Sequence, residues 1–148
     1  MRSFAVIVAA LALGLAACSS DGSGSTTPTS ASEKGQPVAV IEKDAHGLVR
    51  GGMFMIVSPS VVRPGLVTFT VTNQGTIAHE LVVLKGSRKL VPSGAGTVSE
   101  KDAVGSVRDI APGTSKSLTL NLEKGAYELV CNLSGHFARG MHGRFTVR

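Results

Sequence analysis

Strict alternation marks the run Val67-Thr68-Phe69-Thr70-Val71-Thr72. A period of two predicts a strand, with Val67, Phe69 and Val71 facing a core and the threonines facing out. Similar short runs predict strands at residues 38–42, 53–57, 80–85, 117–122, 126–131 and 144–148. Turn-forming pairs separate them: Ser58-Pro59, Pro64-Gly65, Asn73-Gln74-Gly75, Pro112-Gly113 and Lys124-Gly125. No strong amphipathic helix interrupts the pattern. About seven to eight short strands in this span predict an all-β chain folded as a β-sandwich. Residues 86–110 carry several glycines and charges, and they are expected to form a long crossover with one helical turn around residues 100–104.

The first part of the chain reads differently. Residues 1–17 hold a single cation, Arg2, followed by an apolar stretch that ends in small residues. A bilayer crossing takes about twenty apolar residues, so this stretch is short for a membrane span and has the layout of a secretory signal. Its end, Leu15-Ala16-Ala17-Cys18, looks like the lipobox of bacterial lipoproteins, which implies lipidation of Cys18. More than one acyl chain on that residue would give stable anchoring to a cell membrane or envelope, outside the cytoplasm. Residues 18–36 are rich in Ser, Thr and Gly and lack apolar periodicity, as expected of a flexible tether. The folded domain is expected over residues 37–148.

The chain has two cysteines. With Cys18 lipidated, Cys131 is the sole thiol of the domain and can form no intrachain disulfide. A lone thiol outside the cytoplasm is exposed to oxidation unless it is buried or metal-bound. The formal net charge is +5, spread along the chain with few interleaved aromatics, so the charge does not point to nucleic acid. It suits an acidic protein partner, an anionic membrane face or simply a solvated surface.

Four residues change the picture. Cys131, His136 and Met141 form a Cys-x4-His-x4-Met run, and His79 lies far upstream. In Tyr127-Glu128-Leu129-Val130-Cys131, strand parity puts Tyr127, Leu129 and Cys131 on the core face and Glu128 on the other. His79 shares a face with Leu81 and Val83. Phe145 and Val147 point inward, and continuing that parity places Met141 inward and His142 outward. A thiolate, two imidazoles and a weak thioether suit copper, because Cu(I) accepts the sulfurs and Cu(II) the imidazoles and thiolate. Structural zinc sites use four strong ligands, and catalytic ones keep a position open for water; a thioether fits neither.

The segment Ala126-Tyr-Glu-Leu-Val-Cys131-Asn-Leu-Ser-Gly-His136-Phe-Ala-Arg-Gly-Met141 resembles the C-terminal loop of cupredoxins. Its spacing is closer to rusticyanin- and sulfocyanin-type members than to plastocyanin. The resemblance extends through residues 65–73, 78–83 and 111–118. It implies a Greek-key β-sandwich with one type 1 copper at one end, with His79, Cys131 and His136 as equatorial ligands and Met141 as the axial one. Many cupredoxins carry Asn or Ser after the upstream His; here it is Glu80. Glu80 and Asn132 are therefore candidates for tuning the metal from behind its ligands.

Other candidates carry less. His46 sits beside Gly47 in an expected turn, and His142 is expected to be an exposed neighbour of the site. Met53 and Met55 share a strand face, which suits core packing, or Cu(I) delivery if they are displayed. Arg139 and Arg144 flank the site and suit either docking or solvation. No nucleophile–base set or phosphate-cradling loop accompanies them, so the chain does not read as an enzyme. Two functions stay open. One is a lipid-anchored, monomeric one-electron carrier serving a cytochrome, oxidase or reductase. The other is an extracytoplasmic copper carrier that hands Cu(I) to an acceptor.

Overall fold

The alternating run at Val67–Val71 lies in the middle of a nine-residue strand, and its three apolar side chains are fully buried. In the computed structural model, which describes residues 34–44, 52–86 and 89–148, nine strands follow one another. They are β1 (Gln36–Asp44), β2 (Met53–Ser58), β3 (Val61–Val62), β4 (Gly65–Asn73), β5 (His79–Lys85), β6 (Ala103–Ile110), β7 (Ser115–Leu122), β8 (Gly125–Val130) and β9 (His142–Val147). The expected signal at 1–17, the lipidated Cys18, nearly all of the tether and His46 lie outside the described residues.

Two sheets face each other, in the orders β2-β1-β4-β7 and β3-β9-β8-β5-β6. Neighbours are antiparallel except β1 with β4 and β3 with β9. Consecutive strands repeatedly change sheet, as from β4 to β5 and from β6 to β7, so the chain builds the expected Greek-key β-sandwich. Val38, Val40, Val67, Phe69 and Val71 meet Leu81, Val83, Leu129, Phe145 and Val147 between the sheets. Phe69 and Phe145 touch edge to face, ring centroids 5.2 Å apart, a favoured geometry for aromatic pairs.

The five-stranded sheet is covered on its outer face as well. Val82, Leu84 and Val130 point away from the main core and are buried against Leu90, Val98 and Phe137. This explains why β5 reads as an unbroken apolar run rather than an alternating one. Glu128 lies on this outer face, as its parity predicts, and the cover leaves it largely buried.

No helical turn forms around residues 100–104, and residues 103–110 are a strand rather than part of a crossover. A tight turn at 101–102, closed by the Ala103 N–H to the Glu100 carbonyl at 2.9 Å, leads directly into β6. That strand pairs antiparallel with β5 at the edge of its sheet. Most of its residues are exposed, so they carry no apolar alternation from which to predict it. Gly105 has a packing reason: a Cβ there would lie 2.6 Å from the Leu120 side chain of β7.

Candidate metal centre

His79 opens β5 and Cys131 follows directly on the end of β8, so both are fixed by the ladder of one sheet. The other two residues sit on a loop that closes on itself. Its single 3-10 turn, Phe137–Arg139, starts at His136 and ends at Gly140, whose φ of 105° belongs to the left-handed region open to glycine. The Met141 N–H donates to the His136 carbonyl at 3.1 Å, and the Cys131 N–H donates to the Met141 carbonyl at 3.0 Å. The x4 spacings are thus the lengths that bring Cys131, His136 and Met141 back to one point.

The donor atoms meet as the spacing predicts. His79 Nδ1 lies 3.2 Å from His136 Nδ1, and Cys131 Sγ lies 3.3 Å from His136 Nδ1 and 3.9 Å from His79 Nδ1. All three residues are buried, with these donors within 4.8 Å of one another. At ordinary metal–nitrogen and metal–sulfur lengths of about 2.0 and 2.3 Å, two donors of one trigonal centre lie about 3 to 4 Å apart. The three atoms therefore fit around one ion. Met141 is fully buried in a cluster with Cys131 and Met53, with Met55 and Leu133 against it. With no charge to bring and only a weak sulfur donor, Met141 suits copper rather than zinc.

Burial sets the protonation of these groups. It pushes the Cys131 thiol up to about 12, against a lowering contact from the Glu80 N–H, which lies 3.4 Å from Sγ. Burial also lowers His79 and His136, the latter further through His79 and Arg139. Both imidazoles thus stay neutral with a lone pair to give, while the thiol gives up its proton only to a cation that replaces it.

The surrounding contacts differ from expectation in two places. The Glu80 side chain turns away from the metal and accepts from Arg108 Nη1 at 2.6 Å; its backbone N–H serves the cysteine sulfur. The Asn132 side chain is bonded to the covering segment rather than to a ligand. It accepts from the Val98 N–H at 2.7 Å and donates to the Val98 carbonyl at 3.0 Å and to Glu100 at 2.7 Å. Arg108 reaches Glu100 as well, at 2.7 Å, so the covering segment is tied to the residue next to Cys131. His142 is exposed, as expected, and stacks on Phe137 at 4.7 Å between centroids. Arg139 and Arg144 are exposed, and Arg144 approaches Glu128 at 3.7 Å.

Two residues were not singled out from the sequence. Asp44 Oδ1 lies 3.3 Å from His79 Nε2, and its carboxylate also accepts from the Thr76 N–H at 2.7 Å and Thr76 Oγ1 at 2.6 Å. Burial alone would raise Asp44, but the Thr76 and His79 hydrogen bonds outweigh it and hold the carboxyl well below the usual range. Asn73, fully buried, donates to the carbonyls of Ile77 at 2.7 Å and Ile110 at 2.8 Å and accepts from Gly75 at 2.8 Å, shaping the turn that delivers His79. A signal for Asp44 did exist: Val38, Val40, Glu42 and Asp44 share one strand register, so two carboxylates continue an inward-facing row.

Residues 47–148 match the profile of the copper-binding proteins of the plastocyanin/azurin family. Among solved structures, the chain is similar to dithionite-reduced auracyanin from the photosynthetic bacterium Roseiflexus castenholzii. That pair shares 18% identity with a TM-score of 0.55, covering 78% of this chain and 98% of that one. It is also similar to reduced rusticyanin, at 20% identity and a TM-score of 0.55 over 78% of this chain and 81% of that one. Rusticyanin from Thiobacillus ferrooxidans gives 20% identity and a TM-score of 0.54, with 78% and 79% covered. A comparison with curated protein sequences returns no match.

Proposed function

The chain belongs to the plastocyanin/azurin family of copper-binding proteins, and from that premise we propose a lipid-anchored carrier of single electrons between redox partners outside the cytoplasm. One observation carries the reading: the thiol, both imidazoles and the thioether of Met141 meet in a buried cluster. Bound there, copper supplies a one-electron couple between Cu(I) and Cu(II). His79 and Cys131, fixed by one sheet, and His136, fixed by the closed loop, keep one donor geometry for both states. A rigid donor set lowers the reorganisation that each electron transfer requires.

The donor residues are nearly closed off from solvent. Cys131, His79 and Met141 have no exposed surface, while His136 keeps 7%. The imidazole edge of His136 is therefore the point at which an electron enters or leaves. The copper-carrier alternative would display its sulfurs to an acceptor. Met53 instead lies buried against Cys131 and Met141, which favours packing.

The finer parts rest on the sequence. Cys18 would carry the lipid and residues 18–36 would let a monomeric domain reach its partners, among which an acidic cytochrome, oxidase or reductase suits the net charge of +5. Among the described residues, no helix is long and apolar enough to cross a membrane.

The test is a visible spectrum of the full chain with one equivalent of Cu(II), alongside Cys131→Ser. An intense thiolate-to-copper band that vanishes in the variant supports the carrier. A colourless product that binds Cu(I) tightly overturns it in favour of the copper carrier.

A further inference from the structure

Glu42 is the least expected residue in the core. It has no exposed surface, and neither carboxyl oxygen has a hydrogen-bond partner. An unpartnered buried carboxyl is costly, since burial favours its neutral form and nothing repays the lost hydration.

Its position is informative. On β1, Val38, Val40, Glu42 and Asp44 share the inward face. Glu42 pairs across the ladder with Met55 of β2 and Asn73 of β4, and Asp44 pairs with Met53. Asp44 holds His79, Met53 packs on Cys131 and Met141, and Met55 bridges that cluster and the main core. Glu42 thus occupies the layer directly beneath the metal centre.

The charged and titratable groups around it leave it without a cation. Glu80 of β5 is already paired with Arg108, Asp44 is engaged by Thr76 and His79, and Cys131 holds its own proton in the metal-free chain. Met55 and Asn73 are neutral. Burial, with a smaller push from Glu80, raises Glu42 to about 8.

We propose that Glu42 is an interior proton site coupled to the copper: its carboxyl releases a proton when the centre is oxidised and takes one up when it is reduced. The inference rests on the electron-carrier reading and deepens it. The charge count gives the direction. A thiolate with Cu(I) is as neutral as the free thiol, so the reduced centre leaves Glu42 protonated. A thiolate with Cu(II) adds one positive charge beneath which the carboxylate is stabilised. Reduction therefore moves one electron from the redox partner to the centre and one proton from solvent to Glu42, and oxidation returns both.

The experiment is voltammetry of the copper-loaded full chain from about pH 5 to 9, with wild type beside Glu42→Gln. The wild-type potential is expected to fall as pH rises, approaching about 59 mV for each tenfold change in proton activity, the limit for one electron and one proton. The variant is expected to be flat over the same window. A flat wild type, or a slope that survives in Glu42→Gln, overturns the coupling while leaving the electron carrier intact. The absence of any reversible one-electron wave overturns both. Two further readouts do not depend on the loaded variant. Redox-difference infrared spectra of wild type should show a protonated carboxyl band on reduction, and its absence overturns the proposal. In the copper-free chain, the melting temperature of wild type should fall relative to that of Glu42→Gln between about pH 4.5 and 8, because the folded carboxyl binds its proton more tightly than the unfolded one. Equal pH dependence in the variant overturns the assignment to Glu42.

Discussion

Asp44 fixes the tautomer of His79. Its carboxylate is an acceptor only, so the Nε2 of His79, 3.3 Å away, must carry the ring proton. That leaves a lone pair on Nδ1, the atom that faces His136 Nδ1 at 3.2 Å and Cys131 Sγ at 3.9 Å. A strand end on one sheet thus prepares a donor on the other, with Thr76 holding the carboxylate in place.

Removing that carboxylate should loosen the metal without unfolding the domain. Asp44→Ala is expected to weaken copper binding about 10- to 100-fold, the range found when the group behind a ligating histidine is lost. Competition against a chelator measures it. Asp44→Asn, which keeps an acceptor oxygen but removes the charge, should recover most of the affinity. Unchanged affinity in Asp44→Ala would mean that the ladder alone orients His79.

Asn132 fastens the covering segment to the site through both polar groups of Val98. Asn132→Ala leaves a buried N–H and C=O without partners and is expected to cost about 1–3 kcal/mol in chemical denaturation. Asn132→Asp can still accept from the Val98 N–H but cannot donate to its carbonyl, and it places a second charge against Glu100. It should therefore fare no better than alanine.

Two glycines separate backbone strain from contact. Gly96 and Gly113 have nearly the same φ, 73° and 72°, so alanine meets the same local strain at each. At Gly113 a Cβ finds open space, whereas at Gly96 it would lie 2.8 Å from the Gly135 Cα in the ligand loop. Gly96→Ala is expected to lower the melting temperature well beyond Gly113→Ala and to speed copper loss. Equal effects from the two would show that the covering segment does not brace the loop.

The sequence was legible where side chains repeat or where chemistry is rare. Alternation in β4 exposed its core face, and the donors Cys131, His136 and Met141 announced themselves by type and spacing. It was illegible where neighbours, not periodicity, decide. The edge strand β6 keeps most of its side chains in solvent, so nothing in its pattern demanded a partner. Glu128 has the parity of an outward residue, yet residues distant in sequence cover that face. Glu80 adjoins a ligand and still points its carboxylate at Arg108, a partner supplied by that same unforeseen strand. Asp44 and Glu42 continued an inward register, but polar residues at a strand end are ordinarily discounted as surface.

Copper must displace a proton from Cys131, and this sets how binding depends on pH. Burial pushes the thiol up to about 12, so at neutral pH the copper-free sulfur is protonated. Both imidazoles are lowered by burial and do not compete for protons near neutrality. Each unit rise in pH between about 6.5 and 7.5 should therefore strengthen Cu(I) binding about tenfold, one proton released per metal. Cu(I) is the right probe, because its thiolate complex leaves the charge near Glu42 unchanged. Chelator competition at several pH values measures the slope, and Cys131→Ser should abolish it. A pH-independent affinity would mean that the sulfur is already a thiolate in the empty site. That would contradict the burial of Cys131, which outweighs the lowering contacts of the Glu80 and Leu133 backbone N–H groups with its sulfur.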